Sequence, residues 1–201
     1  MATAPARMTG TRPSDADERF RALAREQLPR LYGIARRLVG DEAEDAVQDC
    51  LLKAFQRFDQ LEDRAAAPAW LVRILVNCCH DRGRARARQP AEAELEELER
   101  FSLYRKIAFE DPFPYSDSLH LDFLGEFSCE DVRRVLLRLP LRYRTPLVLV
   151  HMYGFATKEV AAMLDAPLGT VLARLHRGRK LFEREMWEYA EEAGLLEEGR
   201  R

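Results

Sequence analysis

The stretch Thr157–Lys180, TKEVAAMLDAPLGTVLARLHRGRK, reads as a short helix, a tight turn and a longer basic helix. Val160, Ala161 and Leu164 give the first helix one apolar face, at the i, i+1, i+4 spacing of an amphipathic helix. Asp165-Ala166-Pro167 breaks the pattern, because Asp tolerates turn geometry and Pro disfavours helix at the residue before it. The second helix restarts near Leu168 and buries Val171, Leu175 and either Leu181 or Phe182. It leaves Arg174, Arg177, Arg179 and Lys180 toward water or an anion. Two helices joined by a turn of about three residues, the second one basic, form the helix-turn-helix pattern that lays a helix in the major groove. An ordinary helical hairpin with solvated arginines fits the same residues, so the rest of the chain must decide.

Working outward, Ser128 with Asp131 forms a capping box that starts a helix striped by Val132, Val135, Leu136 and Leu139. Pro140 begins another, carrying Tyr143, Leu147, Val148 and Val150 to Tyr153, and Gly154 stops it. Beyond the opening stretch the last helix runs through Phe182, Met186 and Trp187 to about Ala190.

The amino-terminal half has its own helical periods. Phe20, Leu23, Ala24, Leu28, Leu31, Ile34, Ala35 and Leu38 predict a helix over Asp15–Val39, which Pro29 should kink or divide and Gly40 should end. Asp41 with Glu44 reads as a second capping box. The helix after it has one continuous stripe of Ala43, Val47, Cys50, Leu51, Ala54, Phe55 and Phe58. Its opposite face carries Asp45, Gln48, Asp49, Leu52 and Gln56. A polar loop, Asp59–Ala67, leads to Pro68, which suits the first turn of a helix. That helix buries Trp70, Leu71, Ile74, Leu75 and Cys78, and shows Arg73, Asn77, Asp81 and Arg84 on its other face. It runs out into Arg82, Arg84, Arg86 and Arg88. Three helices with complementary stripes make a small bundle.

No strand pattern appears, so the fold class is all-α: two small helical bundles joined by an acidic linker, the C-terminal one a helix-turn-helix. The expected divisions are a disordered N-terminal arm (1–14), a first bundle (15–88), an acidic and aromatic linker (89–127), a second bundle (128–190) and an acidic tail (191–201). The net charge of −2 hides a segregation. Residues 18–88 hold 14 Lys/Arg against 11 Asp/Glu, 89–131 hold 3 against 12, 132–187 hold 11 against 4, and 188–201 hold 2 against 5. Two basic bodies joined by an acidic strap differ from a uniformly neutral protein. Phe113, Tyr115, Leu121, Phe123 and Leu124 are too apolar for an inert spacer, and read as docking spots within the linker.

Composition excludes several classes. Apolar content of 47% with 33% charged residues argues against wholesale disorder. No run approaches the ~18 apolar residues of a membrane span. MATAPARMTGTRPSD lacks the apolar core of a signal peptide, which points to the cytoplasm. Cys50, Cys78, Cys79 and Cys129 show no metal-binding spacing, and Cys78-Cys79 before His80 reads as buried thiols on a helix. Asp45 with Asp49, His80 beside Asp81, His151 and His176 are the candidates for catalysis. They come with no third metal ligand, Gly-rich phosphate loop or nucleophile motif. The reading is therefore not an enzyme, with no cofactor and no metal.

Nucleic-acid binding fits better. In the opening motif Leu172, Ala173, Arg174, His176 and Arg177 are the candidate base readers, with Thr170 near the start of their helix. Thr157, Lys158 and Arg179 are better placed for phosphates.

With these residues in view, the chain resembles the extracytoplasmic-function sigma factors of the sigma-70 family. LYGIARRLVGDEAEDAVQDCLLKAF (Leu31–Phe55) is similar to the start of the family's region two, with its AED-x-x-Q-[DE] core. AWLVRILVNCCHDRGR (Ala69–Arg84) is similar to WL-x-R-I-x-x-N-x-x-x-D-x-x-R. Leu139–Lys180 is similar to region four, with its GTV-x-x-R-L-x-R-[AG]-[RK] ending. The set covers well over half the chain in the right order.

The resemblance implies a promoter-specificity subunit for core RNA polymerase, serving a stress or environmental regulon. Asp45, Gln48, Asp49, Leu52 and Gln56 would meet the coiled coil of the β′ subunit, and the β flap is a further expected contact on core polymerase. Arg64 in the polar loop, with Arg73, Asn77, Asp81, Arg82 and Arg84, would meet the melted −10 element. Trp70 shares the buried face with Leu71 and Ile74, so it reads as core and not as a stacking platform. The second bundle would read the −35 element as duplex, and the acidic linker would thread toward polymerase's own channels. An anti-sigma factor is a further expected partner. Many relatives have a basic and a hydroxyl residue where this chain has Leu172 and Ala173, so its −35 preference is its own. A free-standing helix-turn-helix regulator binding operator DNA is the alternative; it leaves the Asp45/Gln48/Asp49 face unexplained. A nuclease using Asp45 and Asp49 is a third reading.

Overall fold

The computed structural model describes residues 15–61, 63–83 and 127–195, and every regular element among them is helical. α1 spans Asp15–Val39, α2 Ala43–Phe55, α3 Ala67–Gly83, α4 Cys129–Arg138, α5 Leu141–Leu147, α6 Thr157–Met163 and α7 Leu168–Ala193. The expected arm, the linker up to residue 126 with its aromatic cluster, Arg84 and the tail from residue 196 lie outside the described residues.

α1 opens on Asp15, Asp17 and Glu18 and closes on Arg36 and Arg37, charges that match the helix dipole at both ends. Leu31, Ile34, Ala35 and Leu38 are fully buried. Pro29 does not divide the helix. It lies on the exposed side, so the carbonyl one turn earlier that loses its donor faces water. Gly40, at φ 66°, takes the left-handed conformation that ends the helix.

The second capping box does not form. Gly40–Glu42 make a 3-10 turn, Glu42 stands at the N-cap of α2, and no side chain caps it. The turn already satisfies the Ala43 N–H through Gly40 O. Asp41 accepts instead from Arg36 at 3.0 Å, and Glu44 from Gln48 at 3.4 Å. Along α2, Ala43, Val47, Cys50 and Ala54 are buried as expected, and Ala46 joins them. Phe55 remains 45% exposed. Phe20 gathers its ring at 5.3 Å and the buried Phe58 at 5.2 Å.

α3 carries two buried stripes. Leu71, Ile74, Leu75 and Cys78 are the expected one, with Trp70 half-buried against the core. Val72, Val76 and Cys79 form a second at four- and three-residue steps, continued by Gly83.

The second body starts with its capping box intact. Asp131 N–H donates to Ser128 Oγ at 3.2 Å, and Ser128 N–H to Asp131 Oδ2 at 2.9 Å. The Tyr189 hydroxyl also donates to Asp131, tying α4 to α7. The helix expected from Pro140 to Tyr153 is α only to Leu147 and then relaxes into one π turn, Val148–Met152. α6 and α7 meet through the expected tight turn, in which Asp165 takes φ 48° and Ala166 N–H bonds Ala161 O at 3.0 Å. α7 crosses α5 at close range: a Cβ on Gly178 would stand 3.1 Å from Tyr143 O and 3.0 Å from Leu147 Cδ1. The helix continues to Ala193, so residues 191–193 of the expected tail are helical.

The two bodies also pack on each other, α1 against α4, α5 and the π turn, and α3 against α5 and α6. Glycines let them approach. A Cβ on Gly83 would fall 2.5 Å from Leu141, and one on Gly33 2.6 Å from the Tyr153 hydroxyl oxygen. Arg37 Nη1 donates to that hydroxyl at 3.1 Å, and His80 Nε2 lies 3.0 Å from Thr145 Oγ1. The Arg30 guanidinium covers the Phe155 ring at 4.7 Å.

Candidate protein and nucleic-acid interfaces

The outer face of α2 follows from its buried stripe: with Ala43, Val47, Cys50 and Ala54 inward, Asp45, Gln48, Leu52 and Gln56 fall outward and are exposed. Leu52 is 59% exposed. Asp49, on the same face, is half-buried, because Arg82 reaches it from α3. Arg82 Nη2 lies 2.6 Å from Asp49 Oδ2, and Nη1 lies 3.6 Å from Asp45 and 3.9 Å from Glu42. The Asp49 hydrogen bond, followed by the nearby carboxylates, raises the Arg82 guanidinium above its ordinary range. Lys53 Nζ lies 3.8 Å from Asp81. Both Arg82 and Asp81 are thus drawn to α2. Arg73 and Asn77 stand exposed one turn apart on α3.

Arg64 sits in the 3-10 turn Arg64–Ala66, which Asp63 caps by accepting the Ala65 N–H at 2.9 Å. Its guanidinium lies 6.0 Å from the Phe58 ring centroid. Arg64, Arg73 and Asn77 are each exposed on the first body. Arg84 lies outside the described residues.

On the helix-turn-helix, Leu172, Ala173, His176 and Arg177 are exposed at the spacing of one helical face, with Arg179 and Lys158 also exposed. Leu172 is 52% exposed. Thr157, Thr170 and Arg174 are half-buried at the edge of this face. Among the described residues, Arg174, Arg177 and Arg179 make no ion pair with a carboxylate.

Sequence reasoning missed the contact between the bodies. The Val72/Val76/Cys79 spacing was its signal, hidden because those residues adjoin the first stripe. Burial pushes Cys50 and Cys79 up to about 12, and raises Cys78 as well, so these three groups are thiols at neutral pH. No helix among the described residues is long and apolar enough to cross a membrane.

The described residues thus form two helical bodies, a three-helix one with an acidic outer face on α2 and a helix-turn-helix one. Residues 23–89 match sigma-70 region 2, and residues 129–182 match sigma-70 region 4. The chain is 34% identical over 163 residues to the ECF RNA polymerase sigma factor SigM of Mycobacterium tuberculosis, covering 81% of this chain and 72% of that one. It is 28% identical over 162 residues to SigW of Bacillus subtilis, covering 78% and 83%. A solved structure of the sigma factor RpoE in complex with the anti-sigma factor NepR, from Bartonella quintana, matches with a TM-score of 0.59 and 26% identity. That match spans 85% of this chain and 98% of the other. The chain belongs to the extracytoplasmic-function sigma factors. Its function is to direct promoter-specific transcription initiation by RNA polymerase, and the family is not an enzymatic one.

Proposed function

We propose that the α2 face, Asp45, Gln48, Asp49, Leu52 and Gln56, is the dock for the β′ coiled coil of core polymerase. Leu52 carries this reading: an exposed leucine one turn from Asp49, which Arg82 holds in place, suits an apolar anchor with a basic rim opposite it. Arg64, Arg73 and Asn77, with Arg84, hold the melted −10 element; Asp81 and Arg82 brace that surface against α2. Leu172, Ala173, Arg174, His176 and Arg177 read the −35 duplex, while Thr157, Lys158, Thr170 and Arg179 position its backbone. The functional divisions are 15–88 for polymerase and the −10 element, and 128–190 for the −35 element and the β flap.

Reading both elements requires the bodies to separate. Elements centred some 25 base pairs apart lie on the order of 85 Å apart along B-DNA. α7, at 26 residues, is only about 39 Å long, so two bodies in direct contact do not bridge that span. The packed arrangement is therefore a resting one. The protein works in the cytoplasm without catalytic activity of its own, and an anti-sigma factor is a fitting negative partner. Purified protein mixed with core polymerase and a promoter library should yield new run-off transcripts. Failure to bind core would overturn the assignment.

A further inference from the structure

We propose that the cleft between the two bodies binds a small phosphorylated molecule, with its phosphate seated on Arg144. The cleft has a volume of about 680 Å³. Residues 38–42 and 82–83 wall it on one side; residues 137–141 with Arg144, Arg184 and Glu185 wall it on the other.

Of the arginines lining it, three already have carboxylates. Arg82 has Asp49, Asp45 and Glu42; Arg138 has Glu192 and Glu185; Arg184 has Glu188 and Glu185. Arg144 has none among the described residues, although it is only 9% exposed. Its Nε is buried without a hydrogen-bond partner, as are those of Arg82 and Arg184. The acidic group beside it, the Cys79 thiol, is pushed up to about 12 and supplies no negative charge at neutral pH. Burial pulls Arg144 itself down to about 10, which leaves it cationic there.

A buried guanidinium without a counter-ion is strongly unfavourable, and an oxyanion that accepts from its planar fork removes that penalty. The space exceeds what one inorganic ion fills and falls within the range of about 300–1,000 Å³ typical of small-molecule sites. Leu137, Leu139 and Leu141 offer an apolar wall for the rest of the molecule, and Asp41 and Glu42 can accept its N–H or O–H donors. A phosphate joined to a flat, donor-bearing body, as in a nucleotide, meets all three requirements. Because the walls come from both bodies, an occupant holds them together and opposes their separation on a promoter. That consequence rests on the proposed function; the binding itself does not.

The test uses the purified full-length protein alone, at matched ionic strength. Adenosine and guanosine monophosphates, inorganic phosphate and phosphate-free adenosine are titrated by calorimetry. A nucleotide is expected to bind saturably at one site, phosphate more weakly and adenosine not at all. Arg144→Leu should weaken nucleotide binding by about tenfold or more, as expected for loss of a charged hydrogen-bond donor. It should melt no lower than the wild type in phosphate-free buffer, because the unpaired charge is gone. Arg184→Gln should weaken binding by about threefold. The double variant Arg177→Ala, Arg179→Ala on the recognition helix should leave it unchanged. The site is refuted if the wild type binds neither nucleotide nor phosphate, if Arg144→Leu binds equally well, or if the recognition-helix variant abolishes binding. Should Arg144→Leu fail to fold, Arg184→Gln decides, and unchanged binding there refutes the site.

Discussion

The outer faces of α2 and α7 hold their charges in opposite ways. On α2, Asp45 and Asp49 are gathered by one guanidinium, with Asp49 at 2.6 Å from Arg82. On α7, Arg177 and Arg179 project from an exposed face with no carboxylate partner among the described residues. A face whose charges are fixed in advance loses little side-chain entropy when a rigid partner arrives. Mobile cations suit a polyanion, whose released counter-ions supply much of the affinity. On the proposed assignment, the first body offers a preset surface to protein and the second an adaptable surface to duplex DNA.

The largest expected effect tests how rigid the first body is. Cys50, Cys78 and Cys79 are buried in it, whereas Cys129 begins α4 in the open. With Cys50 and Cys79 pushed up to about 12 by burial, their thiolate populations are small at pH 8. Iodoacetamide should label the exposed Cys129 far faster than Cys50 or Cys79, where burial both shields the sulfur and suppresses the thiolate. Comparable rates by peptide mass mapping would mean that the first body is loose. The same shifts set a pH dependence. As pH rises past the ordinary thiol value of 9.0, the unfolded chain releases protons that the native state keeps, so stability should fall in alkali.

Next in size is the dock. Leu52→Arg should lower affinity for core polymerase by about 30-fold or more, the scale of an interface hot spot, without changing the melting temperature. Asp49→Arg is a poorer probe, because it sets an arginine against Arg82 and disturbs the α2–α3 contact as well. Unchanged core binding by Leu52→Arg would move the protein surface elsewhere.

Arg177→Ala sharpens the other half of the contrast. If Arg177 reads a base, affinity for the cognate −35 duplex should fall by roughly 1–3 kcal/mol, about five- to 150-fold, with little loss on unrelated duplex. Equal loss on both, with a shallower salt dependence, would make it a phosphate contact.

What was legible in the sequence was local. The α1 stripe (apart from Leu28, which is 44% exposed), the Ser128 box and the Asp165 turn each depend on residues a few positions apart, and each formed. Asp41 failed as a cap because the 3-10 turn had already used the backbone groups a cap would satisfy. The cleft was not legible at all. It depends on Gly83 admitting Leu141 and on Arg144 meeting Cys79, pairs separated by a linker whose composition says nothing of docking geometry. Arg82 looked like one of a row of DNA-binding arginines, and only the fold turns it back to Asp49.

The smallest effect concerns how the second body is fastened, where the first relies on the Arg82 network. Ser128 and Asp131 satisfy two backbone donors at the start of α4, and Asp131 also accepts from Tyr189. Ser128→Ala should cost about 1 kcal/mol of stability, the usual worth of an N-cap. The Ser128 hydroxyl, then Tyr189, hold the Asp131 carboxyl below its ordinary 3.8. That contribution is present above the ordinary aspartate range and is lost as pH falls through the lowered value. The wild type should therefore shed more stability than Ser128→Ala as pH falls below the ordinary aspartate value of 3.8 in denaturant melts, so the two curves converge in acid. A constant gap across that range would show that the serine acts through the backbone of α4 alone, with Asp131 held by Tyr189, and the second body would then be fastened chiefly by the contact of α4 with α7.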